Sequence, residues 1–465
     1  MNRNKIVVTI GPKSANEKTL QLLLKKGMDV ARLNGSHNNL EWHRKTIQMI
    51  HNALPGIPIL IDIPGRKIRT GDLEKDIEFS NGNILIFSTE KSPNLNEIPL
   101  NYNLLHKDLK INDIFFVEDG MYQFKVVKLK GSKIFSRALN SGKIRSRKGV
   151  NVPKIKINKP FFAKNEQNFV RFCINNKIDF IGISFVESVK EIKIIKKFIN
   201  RDFPKIVSKV ENQNAMDNLD EIVKNSDVIM IDRGDLSTET NQYELFKNQQ
   251  EIIKICNKYS TPVIVATEML NSMIKSKFPT KAEICDISNA VISGASATML
   301  SGETAIGRYP IESVETMRKV SDSVERETSL IKRNKNKIKS DIPSSIAEAL
   351  ENIVEKVGVT KIICVTKSGY SAKILSTKGF GIPIICVTDN EISYKSFKLY
   401  KGVKVIKIKK IFPKESADHI LDIIVNLVKT KELNKNDLVA VVGVLFPKKG
   451  KMNSLQLHDV RNFIN

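Results

Sequence analysis

The fold is decided by two runs of sequence, IVSKVEN at residues 206–212 and IMIDRGD at residues 229–235. Each run begins as an apolar β-strand and ends abruptly in charged residues. Because side chains alternate along a strand, Lys209 and Glu211 point to the same side, and Asp235 follows the next strand. An ammonium and two carboxylates at neighbouring strand ends are typical of a magnesium and phosphate site. Buried strands whose polar ends meet solvent would give the same local pattern.

Strand-like and helix-like segments alternate outward from these runs, which is typical of parallel α/β structure. We count eight strands, each followed by a helix, which is the number that closes a (β/α)8 TIM barrel. After the third strand, short strands without a long helix predict an inserted β-barrel-like domain. The predicted domains are a barrel at 1–69 and 159–330, a β-rich insert at 70–158, a linker at 331–344 and an open α/β domain at 345–465.

Length and composition exclude several classes of protein. The chain has 465 residues, too many for one ordinary core, so two or three domains are expected. No apolar run approaches the ~20 residues of a membrane span, and the first strand follows Met1 too closely for a signal peptide. Five scattered cysteines without a CxxC pair predict a reducing, cytoplasmic location without disulfides or zinc.

The formal net charge of +25 raises the hypothesis of nucleic-acid binding. The lysines, however, are spread along the whole chain, with no basic tail and no basic patch interleaved with aromatic residues. We therefore expect no specific nucleic-acid partner and no membrane partner, although polyanions should bind nonspecifically at low salt.

Polar and charged residues follow most of the predicted barrel strands, where the active site of a (β/α)8 barrel lies. On strand two, Arg32, Asn34 and Ser36 share one face, which places an arginine fork beside two oxygens that can ligate a cation. The other strand ends supply Asp62, Arg66, Lys67 and Arg69; Lys209 and Glu211; Arg233, Gly234 and Asp235; Thr267 and Glu268; and Ser301 to Thr304. Each alone could be a surface ion pair, but the set predicts one convergent site.

An ordered series of motifs resembles the pyruvate kinase family over nearly the whole chain. The motifs are TIGP at 9–12, ARLNGSH at 31–37, Asp62 with IRTG at 68–71, KGVNVP at 148–153, SKVEN at 208–212, RGDL at 233–236, ATEML at 266–270, PTKAE at 279–283 and MLSGETA at 299–305. RGDL alone would carry no information, whereas the ordered series is specific.

The resemblance implies phosphoryl transfer from phosphoenolpyruvate to ADP with Mg²⁺ or Mn²⁺, in the last step of glycolysis. It assigns Glu211 and Asp235 to the metal, and gives catalytic roles to Lys209, Arg32 and Thr267. Substrate contacts would come from Arg32, Lys209, Gly234, Asp235 and Thr267, and nucleotide contacts from Asn34, His37, Arg69 and Lys148. The β-rich insert would be a lid that closes over the site and excludes water.

One departure from the family pattern concerns potassium. Family members that depend on K⁺ carry glutamate where this chain has Lys67, and an ammonium there would replace the charge of a bound cation and repel it. We therefore predict activity that does not require K⁺. A weakened K⁺ site remains possible on Asn34, Ser36, Asp62 and the carbonyl of Ile63.

Five further positions depart from the family pattern without removing a residue that has a catalytic role. They are Gly35 for phenylalanine, Ile183 for alanine, Glu187 for arginine, Asp232 for alanine and Ser237 for glycine. Asp232 is expected either to pair with Arg233 or to alter the carboxylate end of the substrate pocket. Reduced efficiency is compatible with these changes.

A loop in the C-terminal domain matches the place where the family binds phosphorylated effectors. It comprises Thr366, Lys367, Ser368, Gly369 and Ser371, where hydroxyls and backbone N–H groups at a helix start could bind an anion. An ordinary capped helix would give the same pattern. Lys373 stands where arginine is frequent, and residues 446–450 are a modified version of the loop's partner, so the effector stays open.

Two other functions compete with this interpretation. A phosphotransfer domain of a dikinase would need a catalytic histidine domain, which no segment resembles. A degenerate, weakly active family member could act as a basic binding protein, but the set Arg32, Lys209, Glu211, Asp235 and Thr267 is intact. By the same resemblance we expect a homotetramer.

Overall fold

The chain opens with the first three strands of a barrel. The computed structural model describes residues 4–63, 65–90, 94, 96–118, 120–153, 161–328, 342–408, 418–445 and 452–463. The first elements are β1 (Lys5–Thr9), α1 (Glu17–Lys26), β2 (Val30–Asn34), α2 (Leu40–Ala53) and β3 (Ile59–Ile63). Asparagine caps begin both helices: Asn16 and Asn39 accept the N–H groups of Thr19 and Trp42 at 2.9 Å, which satisfies donors that a helix start leaves unpaired.

The insert follows β3 and is built almost entirely of strands. Its elements are β4 (Ile68–Arg69), β5 (Ile77–Phe79), β6 (Ile84–Ser88), β7 (Glu97–Pro99), α3 (Leu105–Asp108), β8 (Ile114–Val117), β9 (Tyr122–Lys130), β10 (Lys133–Ala138), β11 (Gly142–Ile144) and β12 (Gly149–Asn151). Seven strands form one sheet in the order β4-β12-β8-β9-β10-β6-β7. Gly71 N–H donates to Pro99 O at 2.7 Å beside a bridge between Thr70 and Leu100, so the two edges of this curled sheet meet.

The barrel resumes after the insert and supplies five more strands. The elements are α4 (Lys164–Asn175), β13 (Phe180–Ile183), α5 (Val189–Ile199), β14 (Lys205–Val210), α6 (Gln213–Asp217), α7 (Leu219–Asn225), β15 (Val228–Asp232), α8 (Arg233–Glu239), α9 (Leu245–Lys258), β16 (Val263–Ala266), α10 (Lys281–Ser293), β17 (Ala297–Leu300), α11 (Gly302–Ala305) and α12 (Pro310–Thr328). Short 3₁₀ turns cover Gln242–Glu244 and Asn271–Ile274.

Eight parallel strands close the barrel in the order β1-β17-β16-β15-β14-β13-β3-β2, which confirms the predicted fold. Alternation divides each strand between two apolar layers. Outward residues such as Ile206 and Ile229 pack against the helices, while inward residues such as Val207 and Val228 fill the interior. Leu399 of the C-terminal domain joins the inner layer.

The C-terminal domain is an open α/β sheet, as predicted. Its elements are α13 (Ile342–Val357), β18 (Lys361–Val365), α14 (Tyr370–Ser376), β19 (Ile384–Thr388), α15 (Glu391–Ser396), β20 (Val403–Lys407), α16 (Asp418–Lys429), β21 (Leu438–Leu445) and β22 (Met452–Asp459), with 3₁₀ turns at Phe397–Leu399 and Val460–Phe463. The sheet order is β20-β19-β18-β21-β22. No helix in the described ranges is long and apolar enough to cross a membrane.

Two details differ from the sequence prediction. The alternation of strands and helices predicts one helix at residues 215–224, but the structure has two, α6 and α7, because Asn218 leaves the helical conformation between them. Strand β22 lies beyond the last predicted strand, at residues 438–442, and it pairs antiparallel with β21 over eight residues. Most of the predicted linker, at 331–344, lies outside the described residues.

Candidate active site

The interior of the barrel changes from apolar to charged toward the carboxyl ends of the strands. The inward positions continue from Val30 to Arg32 on β2, Leu60 to Asp62 on β3, Val207 to Lys209 on β14 and Met230 to Asp232 on β15. Because alternate side chains share a face, each charged group stands one layer above a buried apolar one. The sequence of the strands therefore brings these groups together at the barrel mouth.

Lys209 lies at the centre of this charged layer. Its Nζ is 2.7 Å from Glu211 Oε1, 2.9 Å from Asp232 Oδ2 and 3.7 Å from Asp62 Oδ2. Burial disfavours its charge, but Asp232, Glu211 and Asp62 outweigh that effect and hold the pKa of the ammonium well above its usual range. Lys209 is therefore a fixed, permanent positive charge.

Arg32 supplies a second cation beside Lys209. Its Nη2 lies 2.5 Å from Asp62 Oδ2, and its Nη1 donates to Thr9 Oγ1 at 3.1 Å. Its Nε is buried and has no hydrogen-bond partner in the described part of the chain. An oriented guanidinium with a spare donor is suited to binding a phosphate or carboxylate group.

An acidic cluster next to Lys209 fits a divalent cation. Carboxylate oxygens of Glu211, Asp232 and Asp235 all lie within 4.8 Å of one another, and oxygen ligands of this kind suit Mg²⁺. Burial raises the pKa of Glu211 to about 8, against the opposing attraction of Lys209 and with the help of the charges of Asp232 and Asp235. The crowded carboxylates would therefore be relieved by a bound cation. We missed Asp232 as a member of this cluster.

Asp232 does not pair with Arg233, which corrects one of the two expectations for this residue. Arg233 points away and binds Asp286 through Nη1, at 2.8 and 2.7 Å. Burial would raise the pKa of Asp232, but Lys209 outweighs it, with help from Lys67 and Arg32, and the pKa falls below its usual range. The alternation Val228, Met230, Asp232 was the sequence signal that this side chain faces inward.

Thr267 and Gly234 form the wall of the site on the side of β16. Gly234 N–H donates to Thr267 Oγ1 at 2.9 Å, and Arg233 Nη2 donates to the Thr267 carbonyl at 2.7 Å. Thr267 and Glu268 both have positive φ, at 67° and 55°, a conformation that costs free energy in residues with a side chain. The contacts with α8 hold the Thr267 hydroxyl in place.

Three of the residues predicted to contact the nucleotide, His37, Arg69 and Lys148, lie near one another and near Arg32. Although the His37 side chain is exposed, desolvation and the charges of Arg69, Arg32 and Lys148 lower its pKa, so these cations lie near it. Lys148 Nζ is 3.3 Å from Glu118 Oε1, and Arg69 Nη1 donates to the Arg147 carbonyl at 3.2 Å. Arg69 lies in β4 of the insert sheet, and Lys148 immediately precedes β12.

The insert also reaches the acidic cluster through Asn151, which we did not predict as a site residue. Its Nδ2 donates to Asp235 Oδ1 at 3.1 Å and to Glu239 Oε1 at 2.8 Å. Burial raises the pKa of Glu239 to about 7, in spite of this hydrogen bond. Asn151 lies within the motif KGVNVP at 148–153, and this contact joins the last strand of the insert to α8.

The groups predicted for a weakened K⁺ site are largely engaged by the protein. Asn34 Oδ1 accepts the Ser36 N–H at 3.1 Å, and the Ile63 carbonyl accepts the Ser184 hydroxyl at 3.3 Å. Asp62 is paired with Arg32. Lys67 Nζ lies 2.5 Å from Asp235 Oδ1, so its ammonium enters the acidic cluster.

The predicted effector loop is a tight turn between β18 and α14. Gly369 has φ 81° and donates its N–H to Thr366 Oγ1 at 3.0 Å, and Tyr370 N–H donates to Ser368 Oγ at 3.4 Å. Lys367 Nζ is 3.4 Å from Asp389, and Ser371 is buried. The partner segment at 446–450 lies outside the described residues. Effector binding stays a prediction.

Together these features define the class of protein as a (β/α)8 barrel whose mouth carries buried cations beside a carboxylate cluster suited to a divalent cation. The family model for the pyruvate kinase barrel domain matches residues 1–314, and that for the pyruvate kinase alpha/beta domain matches residues 344–458. The chain therefore belongs to the pyruvate kinase family.

Individual relatives agree with this assignment. Pyruvate kinase of Bacillus licheniformis is 32% identical over 100% of this chain and 81% of its own length. Pyruvate kinase of Hypocrea jecorina is 32% identical over 98% of this chain and 90% of its own length. The crystal structure of a pyruvate kinase from Cryptosporidium parvum is 31% identical, with a TM-score of 0.86, and covers 99% of this chain and 96% of that one.

Proposed function

We propose that this chain transfers the phosphoryl group of phosphoenolpyruvate to ADP in the cytoplasm, giving pyruvate and ATP. The observation that carries the proposal is the Lys209 ammonium, buried 2.7 Å from Glu211 at the mouth of a pyruvate kinase family barrel. A competing role as a degenerate binding protein is disfavoured, because the buried cations and carboxylates are arranged for phosphoryl chemistry and not spread over an exposed surface.

The charged layer performs the transfer mainly by positioning and electrostatics. A Mg²⁺ or Mn²⁺ ion on Glu211 and Asp235 would supply positive charge for the oxygens of the substrate. Arg32 binds the phosphate of phosphoenolpyruvate through its guanidinium group. Lys209 stabilises the charge that develops on the phosphoryl group and on the enolate oxygen.

The remaining residues bind the substrates, assist protonation of the product and enclose the site. Gly234 supports the substrate beside Asp235, and Thr267 assists protonation of the enolate through a water molecule. The nucleotide is held by the set near Arg32, which consists of Asn34, His37, Arg69 and Lys148. The insert acts as a lid that excludes water from the transfer, with Asn151 linking its last strand to the metal site.

A coupled assay of pyruvate release tests this proposal. With phosphoenolpyruvate, ADP and Mg²⁺, the full-length protein should form pyruvate continuously. Omission of ADP or of Mg²⁺ should stop the reaction. Pyruvate formation that needs no ADP would indicate a phosphatase, and no formation under any condition would favour the degenerate binding protein.

We expect the activity to be independent of potassium. The Lys67 ammonium, 2.5 Å from Asp235, supplies a fixed positive charge where a monovalent cation would otherwise be useful. Rates in buffers free of Na⁺ and K⁺ should therefore change little when K⁺ is added. The variant Lys67→Glu removes that charge and should respond to K⁺ by about tenfold or more, about 1.4 kcal/mol in the barrier. A large K⁺ response of the wild-type protein would contradict this prediction.

We further propose that the protein assembles as a homotetramer. Three large apolar side chains near the starts of α9 and α10 are strongly exposed, with Tyr243 at 89%, Phe246 at 61% and Phe278 at 74%, and burial of such side chains between subunits would remove them from water. Light scattering should give about four times the chain mass of 52.5 kDa. Phe278→Asp should yield smaller species, whereas Met121→Asp, on the exposed insert, should not. A monomeric wild-type protein would contradict the proposal.

A further inference from the structure

Asp232 is a buried carboxylate in the charged layer to which the family resemblance assigns no role. Its side chain is 10% exposed, and its Oδ2 lies 2.9 Å from Lys209 Nζ. It stands directly above Met230 on the inward face of β15. Asp232 is thus a further buried carboxylate beside Lys209, in addition to Glu211 and Asp62.

The contacts of Lys209 show why this carboxylate matters. Its shortest contact is to Glu211, at 2.7 Å, yet Glu211 is also a proposed metal ligand. A divalent cation on Glu211 would compete with the ammonium for the same negative charge. Asp62 is not an adequate substitute, because it lies 3.7 Å from Lys209 and is already paired with Arg32 at 2.5 Å. Asp232 is the carboxylate that can keep hold of Lys209.

Lys67 adds a third cation to the charged layer. Four carboxylates, on Asp62, Glu211, Asp232 and Asp235, face three cations, on Arg32, Lys67 and Lys209. Lys67 holds Asp235 as Lys209 holds Glu211, so each proposed metal ligand begins with an ammonium partner. By formal charge the layer carries one net negative charge, and it does so only because Asp232 is present, which favours the entry of a divalent cation.

We propose that Asp232 is a positioning residue for Lys209, which holds the ammonium in place when a divalent cation takes Glu211. The inference rests on the proposed phosphoryl transfer and extends it. Without Asp232, Lys209 would stay on Glu211, where it would oppose metal binding, or would move away with the metal bound and lose its place at the phosphoryl group. Weaker metal binding and a lower rate of transfer should therefore both follow from Asp232→Asn, which removes the charge but leaves the shape of the side chain almost intact.

The test compares Asp232→Asn with the wild-type protein in two measurements. The coupled assay should show kcat reduced by about tenfold or more, the size typical for losing a partner that orients an active-site group. The KM for phosphoenolpyruvate should change much less, because the lost carboxylate does not contact the substrate. Titration with Mn²⁺ alone, followed by electron paramagnetic resonance, should show weaker binding. Lys67→Met should bind Mn²⁺ more tightly, because Asp235 loses its ammonium partner.

Two controls make the outcome decisive. Asp179→Asn removes another buried barrel carboxylate, one that accepts the Ile59 N–H at 2.9 Å far from the charged layer, and it should change neither kcat nor Mn²⁺ affinity. If Asp232→Asn does not fold, Asp232→Ala replaces it. A kcat less than fivefold below that of the wild type, unweakened Mn²⁺ binding, or equal losses in Asp179→Asn would each overturn the inference. The Mn²⁺ titration needs no turnover, so a wild-type protein without transfer activity would refute the proposed function while this measurement still decides on Asp232.

Discussion

Replacing Lys209 by methionine is expected to lower kcat by about 1,000-fold, the upper range for losing one preorganised group that stabilises transition-state charge. Methionine keeps the length of the side chain but removes the ammonium. The KM for phosphoenolpyruvate should rise less, because Arg32 and the metal ligands still bind the phosphate. Steady-state kinetics of pyruvate release on the purified variant give both constants.

Loss of the fold must be separated from loss of chemistry in this variant. Lys209→Met leaves Glu211 and Asp232 without their cation, and breaking a buried pair in this way typically costs about 3–5 kcal/mol. Circular dichroism should therefore show a folded protein that melts earlier. Lys5→Met removes another buried lysine, which donates to the Val403 carbonyl at 3.1 Å at the far end of the barrel, and it should keep nearly full kcat. Wild-type kcat in folded Lys209→Met would contradict the role given to Lys209.

Replacing Glu211 by glutamine is expected to weaken the binding of divalent cations and to lower the activity. The change keeps the acceptor that binds the Phe185 N–H at 2.5 Å available, but it removes the negative charge that a divalent cation requires. We expect Mn²⁺ affinity and kcat each to fall by about 100-fold or more. This exceeds the typical loss when only a residue that hydrogen-bonds to a metal ligand is removed. Isothermal titration with Mn²⁺ and the coupled assay measure the two quantities.

A matched variant and a second ligand sharpen this prediction. Glu97→Gln removes a buried carboxylate that pairs with Lys133 in the insert, and it should leave Mn²⁺ binding unchanged. Asp235→Asn should resemble Glu211→Gln, because it removes the charge of the other proposed metal ligand and leaves Lys67 without this carboxylate partner. Mn²⁺ binding of wild-type strength in Glu211→Gln would remove Glu211 from the metal site.

Much of the fold and part of the site follow from alternation along the strands. Val207 and Leu60 face the barrel interior, and Lys209 and Asp62, two positions further along the same strands, must therefore face it too. These two charged residues meet although they are 147 positions apart in the sequence. This periodicity is local and is written in the sequence. Closure of the barrel follows from the number of strands and their parallel order.

The parts that the sequence did not predict depend on contacts between distant elements. The expected pairing of Asp232 with Arg233 does not form, because Asp286 on α10 binds the arginine and Asp232 contacts Lys209. The contact of Asn151 with Asp235 depends on how the insert lies against the barrel, and no local pattern contains that information. Strand β22 was missed because its partner β21, and not its own composition, makes it a strand.

The most direct test of the central claim follows the phosphorus atoms themselves. Phosphorus nuclear magnetic resonance of the full-length protein with phosphoenolpyruvate, ADP and Mg²⁺ shows where the phosphoryl group goes. We predict that the phosphoenolpyruvate signal is replaced, in equal amount, by the γ-phosphate signal of ATP. Release of the group only as inorganic phosphate, or an unchanged phosphoenolpyruvate signal, would contradict phosphoryl transfer to ADP at this site.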